Sequence, residues 1–272
     1  MKNNRAIMTA FFLAGLMLLA SCAKVPISGR NQFNIVSDEN VSSLSFQQYQ
    51  TFMQKAKLSS DPAKTAMVKR VGLRIKNAVE LYMNQNLMSD QISGFQWEFN
   101  LVEDDQVNAW ALPGGKVVVY SGILPIVRDD AGLAVVIGHE VAHVIARHGN
   151  ERMSQALMVQ MGGVALSTAL SNSPAATQQI WSQVFGLGTQ VGVMLPFSRL
   201  HEAEADHLGL IFMAMAGYDP HNAVGVWQRM AAQKEGAAPE FLSTHPSDET
   251  RIQNIQKLIP QAMQYYKPYQ GW

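Results

Sequence analysis

The sequence predicts an α+β fold, mostly helical, with a small β-sheet set beside one strongly apolar helix. Three features carry that expectation. Apolar residues recur at spacings of three and four through most of the chain, as they do on the buried face of a helix. Three short strand-like stretches cluster between residues 95 and 120, the first rich in aromatic residues and the last in β-branched ones. The segment that follows them, Ala131 to His148, is apolar on nearly every side, the mark of a helix surrounded by other elements.

Taken in order, Asp38 to Lys57 reads as a helix marked by Val41, Leu44, Phe46 and Phe52. Asp61-Pro62 opens a second helix that runs to about Met83. An aspartate there accepts from the first free amides, and proline suits a position where no amide partner is needed. Val68, Val71, Ile75 and Val79 give its buried face. Phe95 to Val102 alternates as a strand, with Trp97, Phe99 and Leu101 on one face. Asn108 to Leu112 is a second strand, Pro113-Gly114-Gly115 a turn, and Lys116 to Tyr120 a third strand. After the helix at 131–148, Ala156 to Leu170 and Gln178 to Val193 read as a helical hairpin lying over it, each short of the ~20 residues of a membrane span. Helices at Arg199 to Ala216, His221 to Gln233 and Asp248 to Gln264 complete the chain, without internal repeats.

With 47% hydrophobic and only 15% charged residues, the chain can bury a sizeable core, and one compact domain is enough for its length. Its formal net charge is zero and it has no basic cluster, so no nucleic acid is expected as a partner. Cys22 is the single cysteine, which excludes an internal disulfide and leaves His, Glu and Asp to hold any transition metal. Lys2 and Arg5, an apolar run from Ile7 to Ala20 and small residues before Cys22 describe a secretory signal. Leu19-Ala20-Ser21-Cys22 resembles the bacterial lipobox, in which the cysteine is lipidated and becomes the first mature residue. The expectation is a lipoprotein signal peptide at 1–21 and a lipidated tether at 22–37, broken by Pro26, Ser28, Gly29 and Asn31. Lipid on Cys22 would then anchor the chain to the membrane of the bacterial cell envelope. Ala23 in place of an aspartate favours the outer membrane, facing the periplasm, under enteric sorting rules.

The segment that carries chemistry is His139-Glu140-Val141-Ala142-His143. Residues four apart lie one turn apart on the same helix face, so both imidazoles can reach one ion. Glu140 sits one residue on, beside the ion, where a base is wanted to take a proton from water. The apolar flanks imply burial, and two buried histidines with a glutamate are costly unless an ion or hydrogen bonds satisfy them. His148 lies about 140° further round the helix, which makes it a poor third ligand and a candidate helix-end residue. The second cluster runs from Ser198 to His207. Glu202 and Asp206 share a face there, one able to ligate and the other to support a ligating histidine. Glu204 lies about 200° from Glu202 and reads as a solvent or helix-contact residue, but spacing alone does not choose between the two glutamates.

His-Glu-Val-Ala-His followed by Ser-Arg-x-x-Glu-x-Glu-Ala-Asp resembles the HtpX, BepA and LoiP family of zinc metalloproteases, peptidase family M48, which also holds the CAAX prenyl proteases and the mitochondrial OMA-type protease. Val25 to Ser37, Asn108 to Gly115, and Thr244-His245-Pro246 with Arg251 fit the same resemblance. It implies a zincin-like metalloprotease domain at 38–272 with one Zn2+ per chain. Glu202 would be the third ligand beside His139 and His143, and Asp206 the carboxylate behind them. Asn108, Ala109, Trp110 and Ala111 would form an edge strand that pairs with extended substrate. His245 aligns with a histidine that in some members takes the fourth zinc position and holds the enzyme latent. His245 and Arg251 are also candidates to stabilise a developing oxyanion. The expected function is an endopeptidase for misfolded or misassembled envelope proteins, acting on protein or peptide substrates in quality control, with envelope assembly partners. The competing expectation is a non-catalytic, chaperone-like zinc lipoprotein that binds such proteins. The intact Glu140 argues against it.

Overall fold

The computed structural model of the chain describes residues 22–160, 198–233, 240–245 and 249–268. The described chain opens with a hairpin in which β1 (Cys22–Lys24) pairs antiparallel with β2 (Asn31–Phe33). Helices α1 (Asp38–Met53) and α2 (Pro62–Gln85) follow. The sheet comprises β3 (Glu98–Val102), β4 (Ala109–Leu112) and β5 (Lys116–Tyr120). Then come α3 (Leu124–Val127), α4 (Asp130–Ile145), α5 (His148–Gln160), α6 (Arg199–Met215), α7 (Asn222–Ala232), α8 (Glu240–Thr244) and α9 (Glu249–Ala262). This is the expected α+β architecture, mostly helical with a small sheet.

In the sheet, β5 is central, parallel to β3 and antiparallel to β4. All five of its residues are buried, because helices cover both faces and successive side chains point to opposite sides. Val117 and Val119 join Phe99, Leu101 and Ala109 in a core shared with α2 and α4. Val118 and Tyr120 join Val102 and Leu112 in a second core closed by Val41 and Tyr49 of α1 and by Met153 and Leu157 of α5. The Asp61 cap forms as expected, its carboxylate accepting from the Ala63 and Lys64 amides at 3.0 Å each.

Two expectations are corrected. In place of the irregular tether expected at 22–37, residues 22–33 contain the β1–β2 hairpin, with Val25 and Gln32 each 1% exposed. Its strands are three residues long, too short to show a period. The helix expected at 131–148 is two helices. Ala146 ends α4, Arg147 takes a left-handed turn at φ 55°, and His148 starts α5 in a new direction. The signal segment at 1–21, the side chain of Cys22, most of the hairpin expected at 156–193 and Pro246 lie outside the described residues. Among the described residues no helix is long and apolar enough to cross a membrane.

The contact that places the site is between α4 and α6. Gly138 and Gly209 face each other where these helices cross. A Cβ on Gly209 would stand 2.9 Å from the His139 nitrogen, and one on Gly138 would stand 3.0 Å from the Gly209 oxygen. Only glycine lets the two backbones come this close. Gly209→Val should therefore force the helices apart and cost about 3 kcal/mol of stability, read as a lower urea midpoint. A wild-type midpoint would show that the crossing tolerates bulk.

Candidate metal centre

Three separate segments meet at one point. α4 supplies His139 and His143 from consecutive turns of one face. α6 supplies Glu202, whose register is set by Ser198, the cap that accepts from the His201 amide. The residue after α8 is His245, held by its amide to the Phe241 carbonyl at 2.9 Å. All four side chains are buried, and one ligand atom of each lies within 4.8 Å of the others. The structure brings His139, His143, Glu202 and His245 together in one cluster that could hold a metal ion.

The spacings test whether a zinc ion fits. Ligand atoms ~2.0–2.1 Å from a tetrahedral ion stand about 3.3 Å apart. His139 Nε2 lies 3.1 Å from His143 Nε2, 3.1 Å from His245 Nδ1 and 3.4 Å from Glu202 Oε2. His143 Nε2 lies 3.3 Å from Glu202 Oε1, and His245 Nδ1 lies 3.0 Å from the same oxygen. An imidazole nitrogen has one proton or one lone pair to offer, so three close partners on His139 Nε2 exceed what hydrogen bonding can use. A cation at the centre satisfies all of them.

The other side of each histidine is also held. His139 Nδ1 meets Asp206 Oδ1 at 3.0 Å, which keeps a proton on Nδ1 and leaves Nε2 bare toward the centre. Asp206 thus stands behind His139, on the side away from the cluster. Arg251 was expected to face an oxyanion. Instead its Nε and Nη2 donate to Asp206 at 2.9 and 2.8 Å, and its Nη1 meets Glu202 Oε2 at 2.7 Å. The guanidinium also stacks 3.6 Å from the Trp227 ring centroid. Burial pulls the Glu202 carboxyl upward, but the charges of His245 and Arg251 hold it well below the usual range.

His148 sits differently from expectation, and of the two readings of Glu204 the structure shows the helix contact and not the solvent face. His148 does not close the helix that carries His139 but opens α5. The turn at Arg147 swings it behind His143, Nδ1 to Nδ1 at 2.9 Å, while its Nε2 meets Glu204 Oε2 at 3.0 Å. Burial lowers the His148 pKa to about 4. Glu204 is 7% exposed, so it is no solvent residue. The same pattern recurs in reverse, with His201 Nε2 on Glu151 Oε2 at 3.0 Å and the two rings stacked at 4.4 Å. Each of α5 and α6 thus carries His-x-x-Glu, and the pairs bond crosswise. That repeated spacing was the available signal.

Glu140 points toward the cluster from beside it. Burial raises its pKa to about 7, while His245 and a backbone hydrogen bond from Ala111 of β4 oppose the rise. Apart from His245 Nε2 at 3.4 Å, its Oε1 has no hydrogen-bond partner among the described residues. β4 stands at the end of the sheet and contains Ala109, Trp110 and Ala111. Asn108 precedes it, buried, with its carbonyl accepting from the Tyr120 amide at 3.1 Å.

Comparison with known proteins adds the family context. A sequence model described as Peptidase family M48 matches residues 62–259. The chain is 35% identical over 243 residues to the mitochondrial metalloendopeptidase OMA1 of Schizosaccharomyces pombe, covering 88% of this chain and 66% of that protein. It is 32% identical to the Saccharomyces cerevisiae protein of the same name, covering 90% and 71%. It is 28% identical to the beta-barrel assembly-enhancing protease of Escherichia coli, covering 72% and 39%. The chain therefore spans about two thirds of its yeast relatives and much less of the bacterial one. The expected placement in a bacterial outer membrane is corrected by these findings, since the relatives matched over nearly nine-tenths of the chain are mitochondrial proteases.

The purified protein should contain one zinc per chain by elemental analysis. Glu202→Ala should weaken zinc binding by at least 100-fold while Glu39→Ala, on the exposed start of α1, leaves it unchanged. Equal zinc content in Glu202→Ala at limiting metal would remove Glu202 from the set.

Proposed function

The chain belongs to peptidase family M48 and carries its zinc metalloendopeptidase domain, and from that footing we propose that it cuts peptide bonds within extended, locally unfolded protein segments. In this proposal His139, His143 and Glu202 hold the zinc and Glu140 moves the proton. The observation that carries it is the set of 3.0–3.4 Å spacings among buried ligand atoms from three separate segments.

Zinc, when bound, supplies the Lewis acidity that acidifies water and polarises a carbonyl. The remaining work falls to the chain. Glu140, with a pKa near neutrality, is matched to its two tasks. It takes a proton from the attacking water and passes it to the leaving amide nitrogen. Its bond to the Ala111 amide ties it to β4, so a segment laid along that edge brings its carbonyl beside the base. Edge pairing reads backbone rather than side chains, which favours segments already free to extend over folded ones. Arg251 positions Glu202 and Asp206 rather than touching substrate. His245 stands within 3.1 Å of both His139 and Glu202, where an incoming carbonyl must arrive, and so has to withdraw before turnover.

Glu140→Gln keeps the shape of the side chain and removes the base. It should retain zinc and lose casein cleavage by about 10²–10⁴-fold. Wild-type cleavage by zinc-replete Glu140→Gln would overturn the proton role. A wild-type protein that binds zinc yet cuts no unfolded substrate would favour binding without turnover.

A further inference from the structure

The N-terminal hairpin precedes the stretch matched by the family model, yet it reaches the back of the metal site at three helices. Gln32 Nε2 donates to the Ala146 carbonyl at 2.5 Å, capping the end of α4, and also to Glu151 Oε2 of α5 at 3.2 Å. Arg30, just before β2, makes two forked pairs. Its Nη1 and Nη2 donate to Glu151 at 2.8 Å each. Its Nε and Nη2 donate to Glu204 of α6 at 3.0 and 2.9 Å. Ser28 Oγ adds a bond to Glu204 at 2.6 Å.

We infer that Arg30 is a positioning residue for the metal centre, acting through Glu204 and His148 to fix the orientation and tautomer of His143. With His148 taken as neutral, the contacts fit the following arrangement of protons. Glu204, ionised and forked by Arg30, only accepts, so His148 donates from Nε2. A neutral His148 then has a bare Nδ1, which accepts from His143 Nδ1–H at 2.9 Å. That leaves His143 Nε2 without a proton, facing His139 and Glu202. Without Arg30, Glu204 loses the fork that aims it. His148 is then free to flip and offer a proton to His143, which would put the other proton of His143 on the ligating nitrogen. Arg30 is 22% exposed at its side chain while both its carboxylate partners are 6% exposed, so the fork meets its carboxylates largely away from water. Only arginine presents a planar fork able to serve two carboxylates in this way.

The inference rests on His143 being a zinc ligand, and the test separates the two claims. Zinc dissociation constants of the full chain are measured against a chromogenic chelator, and the visible spectrum is recorded with cobalt(II) in place of zinc. Arg30→Lys, Glu204→Gln and His148→Gln should each weaken zinc by about 10–100-fold, the range for loss of a group behind a ligand. Each should also shift the cobalt bands. The double variant Arg30→Lys with Glu204→Gln should lose little more than either single one, since both act along one path. Arg70→Gln, which breaks a forked pair with Asp130 far from the site, should bind zinc as wild type does. His148→Gln leaves the hairpin contacts intact, so it remains informative if Arg30→Lys fails to fold. Zinc affinity within twofold of wild type in His148→Gln, or equal weakening in Arg70→Gln, would overturn the inference. A wild-type chain that binds no zinc would instead overturn the ligand assignment itself.

Discussion

Two helices that cross without side chains between them set the position of everything chemical in this molecule. Gly138 and Gly209 bring α4 and α6 together at backbone distance. The ligand-bearing residues are the immediate neighbours of that crossing. His139 follows Gly138, and Asp206 lies three residues before Gly209, with Glu202 one turn further back. A methyl group on Gly209 would stand 2.9 Å from the His139 nitrogen, so the helices would have to part and carry the carboxylates away from the imidazoles. The large apolar area buried around α4 keeps the crossing closed. Leu133, Ala134, Val136, Ile137, Val141 and Ala142 are each 0% exposed.

Such a core makes charge expensive, and the charge there is unbalanced. Glu140, Glu202 and Asp206 bring three buried carboxylates, and Arg251 one guanidinium. With Glu202 and Asp206 held ionised and Glu140 raised to about 7, the carboxyl groups outweigh the Arg251 guanidinium, and a divalent cation would offset that excess. Removing one partner from a buried ionic set typically costs about 3–5 kcal/mol, so the metal is part of the folding energetics as well as of the chemistry. The same logic explains the second layer. His139 and His143 each need the far nitrogen occupied, and the structure meets that need with a carboxylate for one and a second histidine for the other.

Much of this was legible in the residues. The two imidazoles four apart, the glutamate between them, the carboxylate pair at 202 and 206, and the β5 strand with its run of three valines all follow from period and burial. What was hidden depended on contacts between distant segments. The turn at Arg147 was invisible because Ala131 to His148 has an uninterrupted helical pattern and no glycine between Gly138 and Gly149. Losing that turn misplaced His148. The spacing of Glu204 correctly put it opposite Glu202, but the spacing could not say that a hairpin, and not water, covers that face. The hairpin itself gave no periodic signal, and Pro26 and Gly29 read as breakers because they do break the pattern: Gly29 takes φ 63° in the connecting turn. Arg251 shows the limit of carrying a role without geometry, since a guanidinium near a metal can hold carboxylates as readily as an oxyanion.

The central claim is that one divalent ion is held between α4 and α6 by the near nitrogens of His139 and His143 and the carboxylate of Glu202. Zinc-edge anomalous diffraction from crystals of the purified chain tests it most directly. The account predicts a single anomalous peak ~2.0–2.1 Å from His139 Nε2 and His143 Nε2, with a Glu202 oxygen at ~2.0–2.2 Å. A peak elsewhere, or one bound by the histidines while Glu202 turns away to Arg251 alone, would contradict it.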